Sequence, residues 1–231
     1  MSRDRMPASP KTQRRRAPAK VASNRPRRPY HHGALREALV EAAERLLAAN
    51  GIEGLTLRAA AREAGVSHAA PKNHFEDVRG LQSAVAAVGF RRLSGALTAG
   101  LSGAEGADEA MDGLARAYVG FAKANPALFK LMYRAEKLDF GRPELQEATA
   151  AASGVLQRAV ADRLAGRLKT TPASEQQLAG ATAAWCLVHG FATLLLDGRL
   201  APVLARMTGN PEAKAERLLD LVLAEAKTSR T

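Results

Sequence analysis

Between Leu55 and Phe75 the chain reads LTLRAAAREAGVSHAAPKNHF. Near its end, Lys72, Asn73 and His74 carry groups that donate hydrogen bonds to phosphate oxygens or base edges. Just before them stand Ala69 and Ala70, small enough to let their backbone sit deep in a groove, where an alanine methyl packs on the methyl of thymine. Thr56, Arg58, Ser67 and His68 add hydroxyls, a charge and an imidazole to the same stretch, and Arg79 follows shortly after it. The chemistry these residues suit is recognition of double-stranded DNA, provided short helices hold them together.

Such a pair of helices is legible. Thr56 is placed to cap the first, and Leu57, Ala60, Ala61 and Ala64 form its narrow apolar stripe. Gly65 breaks it after about two turns, Val66 is a lone apolar residue expected to be buried, and Ser67 is read as a second N-cap. A reading helix over 68–75 is expected, with Pro71 near its first turn, where a missing N–H does least harm. A bracing helix, a glycine turn and a second helix offering its N-terminal residues form the helix-turn-helix arrangement. The pattern alone also fits a purely structural pair of helices.

No other constellation supports covalent chemistry. Cys186 and His189 stand three apart on an apolar stretch, without a third group to orient the imidazole or an oxyanion-stabilising motif. Cys186 reads as a small buried hydrophobe, and His189 either as a core histidine or as a polar anchor in a ligand pocket. His31-His32 lacks the cysteine or acidic neighbours a metal site needs. No enzyme, metal or cofactor is expected.

The remaining elements are helical by periodicity. Leu35, Leu39, Ala42, Ala43, Leu46 and Leu47 mark a first helix that ends at Asn50-Gly51. Further helices are expected over 77–97, with Gly95, Gly100, Gly103 and Gly106 marking its end, and over 108–124, 127–133 and 144–168. Thr170-Thr171-Pro172 is a break. Ser174 to Leu196 and Pro211 to Ala226 close the chain, with 197–202 read as a turn. Alanine and leucine dominate, aromatics are only 4%, and no segment alternates as a strand would. The fold class is therefore all-α: a three-helix reader over 30–80, then a larger helical bundle over 81–231. If the bundle holds a pocket, its larger side chains are the candidates to line it: Met111, Tyr118, Phe121, Phe129, Met132, Tyr133, Trp185 and His189.

The net charge of +11 is unevenly spread. Residues 1–29 hold eight arginines and two lysines against one acid, Asp4, with five prolines and few large apolar residues. Such a segment cannot bury enough surface to order itself. It suits either an arm that tracks phosphates beside the reader or a solubilising tail. A nonspecific DNA binder or helical adaptor working through this tail is the alternative reading. One cysteine excludes an internal disulfide and fits a reducing cytoplasm. No stretch is read as reaching the roughly 18 apolar residues of a membrane span.

On Tyr30-His31-His32-Gly33, the first helix, Leu55-Thr56-Leu57, Ala64-Gly65-Val66-Ser67 and His74-Phe75, the segment 30–81 resembles the DNA-binding domain of the TetR (tetracycline-repressor-like) family. Trp185-Cys186-Leu187-Val188-His189-Gly190 and the segment 125–132 resemble a C-terminal domain with a Trp…His-Gly motif found in a subset of these regulators. There are departures. Lys72 and Asn73 stand where the family usually has an aromatic and a basic residue, and Val78, with Arg79 beside it, where it usually has lysine. The operator sequence therefore does not carry over. The resemblance implies a cytoplasmic homodimer that pairs the last two long helices with those of a second copy. It further implies a palindromic operator in double-stranded DNA, repression as the default and release by a small-molecule effector.

Overall fold

A computed structural model describes residues 32–168 and 174–228 of the chain. The basic tail over 1–29, Tyr30-His31 and the Thr170-Thr171-Pro172 break lie outside the described residues. Ten helices and two single 3-10 turns make up the described part, with no strand among them.

Three helices build the N-terminal unit: α1 (His32–Asn50), α2 (Leu57–Glu63) and α3 (Ala70–Phe75). Leu39, Ala43, Leu47, Leu55, Ala60 and Phe75 bury themselves between them. The Thr56 hydroxyl caps α2, accepting from the Ala59 N–H at 3.1 Å. Gly65 ends α2 with φ of 68°. Around it the Val66 N–H donates to the Ala61 carbonyl (2.9 Å) and the Gly65 N–H to the Arg62 carbonyl (3.2 Å). This is a Schellman closure, and its left-handed residue explains the glycine. Val66 is half-buried rather than fully buried.

Two expectations fail here. The reading helix starts at Ala70 rather than His68, and Ser67 caps nothing with its side chain. Pro71 in the first turn sets the start, because its fixed φ and missing N–H suit that position. Ser67 to Ala69 form a turn instead, closed by the Ala70 N–H on the Ser67 carbonyl (3.0 Å).

The long α4 (Val78–Gly100) is the axis of the rest. The Asp77 carboxylate caps it through the Gly80 N–H at 2.8 Å. Gly95 lies inside α4 rather than at its end: a glycine weakens a helix by only about 1 kcal/mol, which packing of the apolar α4 overrides. Around α4 lie α5 (Ala107–Ala124), α6 (Pro126–Met132) and α7 (Pro143–Leu168). The crossing of α4 and α5 is closed by Gly100 and Gly113: a Cβ on Gly113 would stand 2.0 Å from the Gly100 carbonyl oxygen. Further out lie α8 (Ser174–Leu196), the short α9 (Ala201–Ala205) and α10 (Pro211–Thr228). The segment read as a turn before α10 thus gains one helix, again started by a proline, Pro202.

α8 overturns another expectation. By length and composition it is apolar enough to cross a membrane, yet only 22% of its most apolar window is buried. Leu178, Trp185 and Leu194 are exposed along it, as is Leu221 on α10. Cys186, expected to be buried, is exposed as well. The membrane reading of α8 is weak, because a helix that is apolar all round is equally one that packs on two sides.

Candidate nucleic-acid interface and ligand cavity

α3 divides its short length sharply. Pro71 and Phe75 point into the core, whereas Lys72 and Asn73 are exposed, and Ala70 and His74 are half-buried. Ser67, His68 and Ala69 of the preceding turn are exposed, as are Thr56 and Arg58 at the start of α2. The anchor of this surface is Phe75, which carries the Arg36 guanidinium over its ring at 5.4 Å. All ten residues singled out for DNA contact thus keep solvent-facing surface, nine of them at the cap of α2, on α2, on α3 and in the turn between them.

Arg79 stands apart. Its Nε and Nη2 both donate to the Leu138 carbonyl, at 3.0 and 2.6 Å. That bond belongs to a strap over residues 133–142 that joins α6 to α7 and lies against the base of α4. The Ser83 hydroxyl, buried, donates to the Arg79 carbonyl (2.8 Å) and accepts from the Asp139 N–H (2.9 Å). Arg142 reaches past Gly80 to the end of α3, its Nη2 3.1 Å from a Glu76 carboxylate oxygen and 3.5 Å from the Phe75 carbonyl. Glu76 needs such bracing: it alone among the described non-glycine residues has positive φ, at 65°. With the Asp77 N–H donating to the Phe75 carbonyl at 2.7 Å, it forms a strained γ-turn. The strap therefore ties the end of α3 to the larger bundle.

Between α4, α5, α7, α8 and α10 the bundle holds a half-open cavity of about 460 Å³, within the size range of small-molecule sites. Met111, Tyr118, Tyr133 and Trp185 of the eight anticipated residues line it. Phe121, Phe129, Met132 and His189 do not: Phe121 and Met132 are buried in the core, and Phe129 and His189 stand behind the aromatic wall. Behind that wall the rings pack in a tilted cluster with it. The His189 ring lies 4.4 Å from Tyr133, 5.4 Å from Trp185 and 5.5 Å from Phe129 between centroids. The Tyr118 hydroxyl is 2.8 Å from that of Tyr133 and 2.9 Å from His189 Nδ1. Burial pushes the Tyr118 hydroxyl well above the ordinary tyrosine range, raises that of Tyr133, and holds the His189 imidazole below its usual 6.5, so all three are neutral near pH 7.

The opposite end of the cavity is invisible in the sequence pattern: there Asp112, Arg163 and Lys227 enter the lining. Lys227 Nζ donates to one Asp112 carboxylate oxygen at 2.7 Å, and Arg163 Nε to Asp108 at 2.6 Å. The only local signal is charge beside an apolar stripe, Asp112 next to Met111 and Ala115. Their partners lie 115 and 55 residues away, beyond any local pattern.

Residues 39–84 match the family model of bacterial regulatory proteins of the tetR family, and residues 111–222 that of the tetracyclin repressor-like C-terminal domain. The structure is similar to that of a protein of unknown function from Rhodococcus sp. RHA1, with 35% identity, a TM-score of 0.66, and 86% of this chain and 98% of that one covered. It is also similar to a regulatory protein of the tetR family from Rhodococcus RHA1 (21% identity, TM-score 0.55, 82% and 95% covered). A third likeness is to the TetR family transcriptional regulator PfmR from Thermus thermophilus (18% identity, TM-score 0.54, 80% and 97% covered). The last two identities speak for the fold alone. Among curated proteins none matches. With both halves of the family's architecture matched in order, this chain belongs to the TetR family of DNA-binding transcriptional regulators, a family generally without enzymatic activity.

Proposed function

We propose that the chain is a homodimeric repressor that leaves a palindromic operator when a small molecule fills the cavity. Residues 30–80 are the reader and 81–231 the dimerisation and effector domain. The observation that carries the reading is the division of α3, with Pro71 and Phe75 buried and Lys72 and Asn73 exposed. Ala70 and the turn 67–69 enter the major groove, while Thr56, Arg58 and Lys72 hold phosphates. Arg79 serves the strap first and the DNA backbone second.

A second copy of the chain covers the exposed apolar faces of α8 and α10, which supports an isologous four-helix interface. Two reading helices then lie about 34–36 Å apart, one turn of DNA, so the operator is palindromic. The protein works in the cytoplasm, on DNA. Effector binding is felt at Tyr133, which lines the cavity and opens the strap. From there Leu138, Asp139 and Arg142 reach α4 and the end of α3, so a shifted strap favours a reader spacing that fits DNA poorly.

Mobility-shift titrations against a selected operator test the reader. Ala70→Asp sets a carboxylate against the phosphates and abolishes specific binding; Lys72→Ala weakens it. Unchanged affinity in both variants rules the reader assignment out.

A further inference from the structure

Within the effector reading above, on which this inference rests, the two ends of the cavity define what it accepts. Asp112 and Arg163 bring opposite charges to one end, each already engaged, with Lys227 and Asp108 respectively. Each nevertheless keeps one buried polar atom with no hydrogen-bond partner among the described residues: an Asp112 carboxylate oxygen and Arg163 Nη2. The side chains are only 19% and 12% exposed, so these orphaned atoms are costly unless a ligand answers them. One is an acceptor and the other a donor. Among the described residues two acids and two bases at that end sum to zero charge, and an added ion of either sign would stand uncompensated against one pair in a largely apolar cavity.

The walls agree. Thr149, Ser153 and Gln157 recur every four residues along α7 and all line the cavity, a stripe of neutral polar groups between apolar neighbours. At the far end stand Tyr118, Tyr133 and Trp185. Along α5, Asp112 and Tyr118 are separated by about 9 Å of helix rise.

We infer that the cavity takes a neutral, elongated apolar molecule whose polar end both donates and accepts a hydrogen bond, such as a carboxamide or an alcohol. That end lies between Asp112 and Arg163, and the apolar body runs toward the tyrosines.

Trp185, the only tryptophan of the chain, lines the cavity and reports occupancy by fluorescence. The full-length protein is titrated with decanamide, 1-decanol, decanoate and decylamine, following Trp185 emission and the melting temperature. Decanamide and decanol bind saturably, and decanoate and decylamine at least about tenfold more weakly. Arg163→Met weakens decanamide by about tenfold. Asp112→Asn leaves the site net positive and moves the preference toward decanoate. Decanoate or decylamine binding the wild type as tightly as decanamide, no saturable binding by any of the four, or an unchanged order in Asp112→Asn overturns the inference. Should either variant fail to fold, the wild-type order decides. Decanamide binding in the expected order without releasing operator DNA would leave the ligand chemistry standing and remove the effector role.

Discussion

Gly113 and Gly120 sit on the same helix, α5, and the same substitution should move stability in opposite directions at the two. Replacing glycine by alanine inside a helix gains about 1 kcal/mol of intrinsic propensity. At Gly120 a Cβ meets nothing within 4 Å, so Gly120→Ala keeps that gain. At Gly113 the new Cβ would stand 2.0 Å from the Gly100 carbonyl oxygen, where the obstacle is backbone and no side-chain rotation relieves it. The helices must part by roughly 1 Å or more, and overpacking of this kind costs about 1–3 kcal/mol. Set against the same propensity gain, Gly113→Ala comes out neutral to about 2 kcal/mol destabilised, and the two variants differ by about 1–3 kcal/mol. For a chain of this size that is roughly 2–12 °C in melting temperature. Thermal denaturation of both variants at one protein concentration measures it, because self-association would make the melting point move with concentration. Gly113→Ala stabilising the protein as much as Gly120→Ala would refute the close α4–α5 crossing, and with it the cavity wall those helices form.

The other expectations are smaller in scope. Thr56→Ala loses the α2 cap and about 1 kcal/mol of stability, whereas Thr56→Ser keeps both, as chemical denaturation will show. Lys72→Ala lowers the slope of log affinity against log salt by about 0.9 for each phosphate it no longer neutralises, hence about 1.8 for a dimer; an unchanged slope places Lys72 off the phosphates. His189 is held neutral by burial, so the unfolded chain takes up its proton first as pH falls. Its contribution to stability is therefore complete above pH 6.5 and declines below it. The melting temperature of the wild type should drop more between about pH 7.5 and about pH 5 than that of His189→Gln, and equal drops would contradict the assignment.

Local signals carried the reader because its punctuation is local. Gly65 must adopt positive φ to close α2, and Thr56 meets its cap three residues on. The start of α3 was misplaced because Ser67 and Pro71 are both good helix openers, and only the fold shows that proline prevails. Gly95 misled in the same way: a glycine marks a helix end only where packing does not hold the helix together. Cys186 and the apolar α8 depart from the sequence pattern because an apolar side chain left exposed on a helix looks, in sequence, like one buried in its own core. The cavity was legible on its aromatic side, from Tyr118, Tyr133 and Trp185, and not on its ionic side. Apolar stripes do not distinguish a wall from a core, and the Asp112–Lys227 pairing spans nearly half the chain.

The measurement that bears most directly on the central claim is selection of genomic fragments by the purified protein at near-physiological salt, with and without residues 1–29. The account predicts that both forms recover one palindromic motif, bound by two protomers, with the basic tail adding affinity only. Recovery of no motif, with binding lost on removal of the tail, would contradict it and leave a nonspecific binder that works through its arginines.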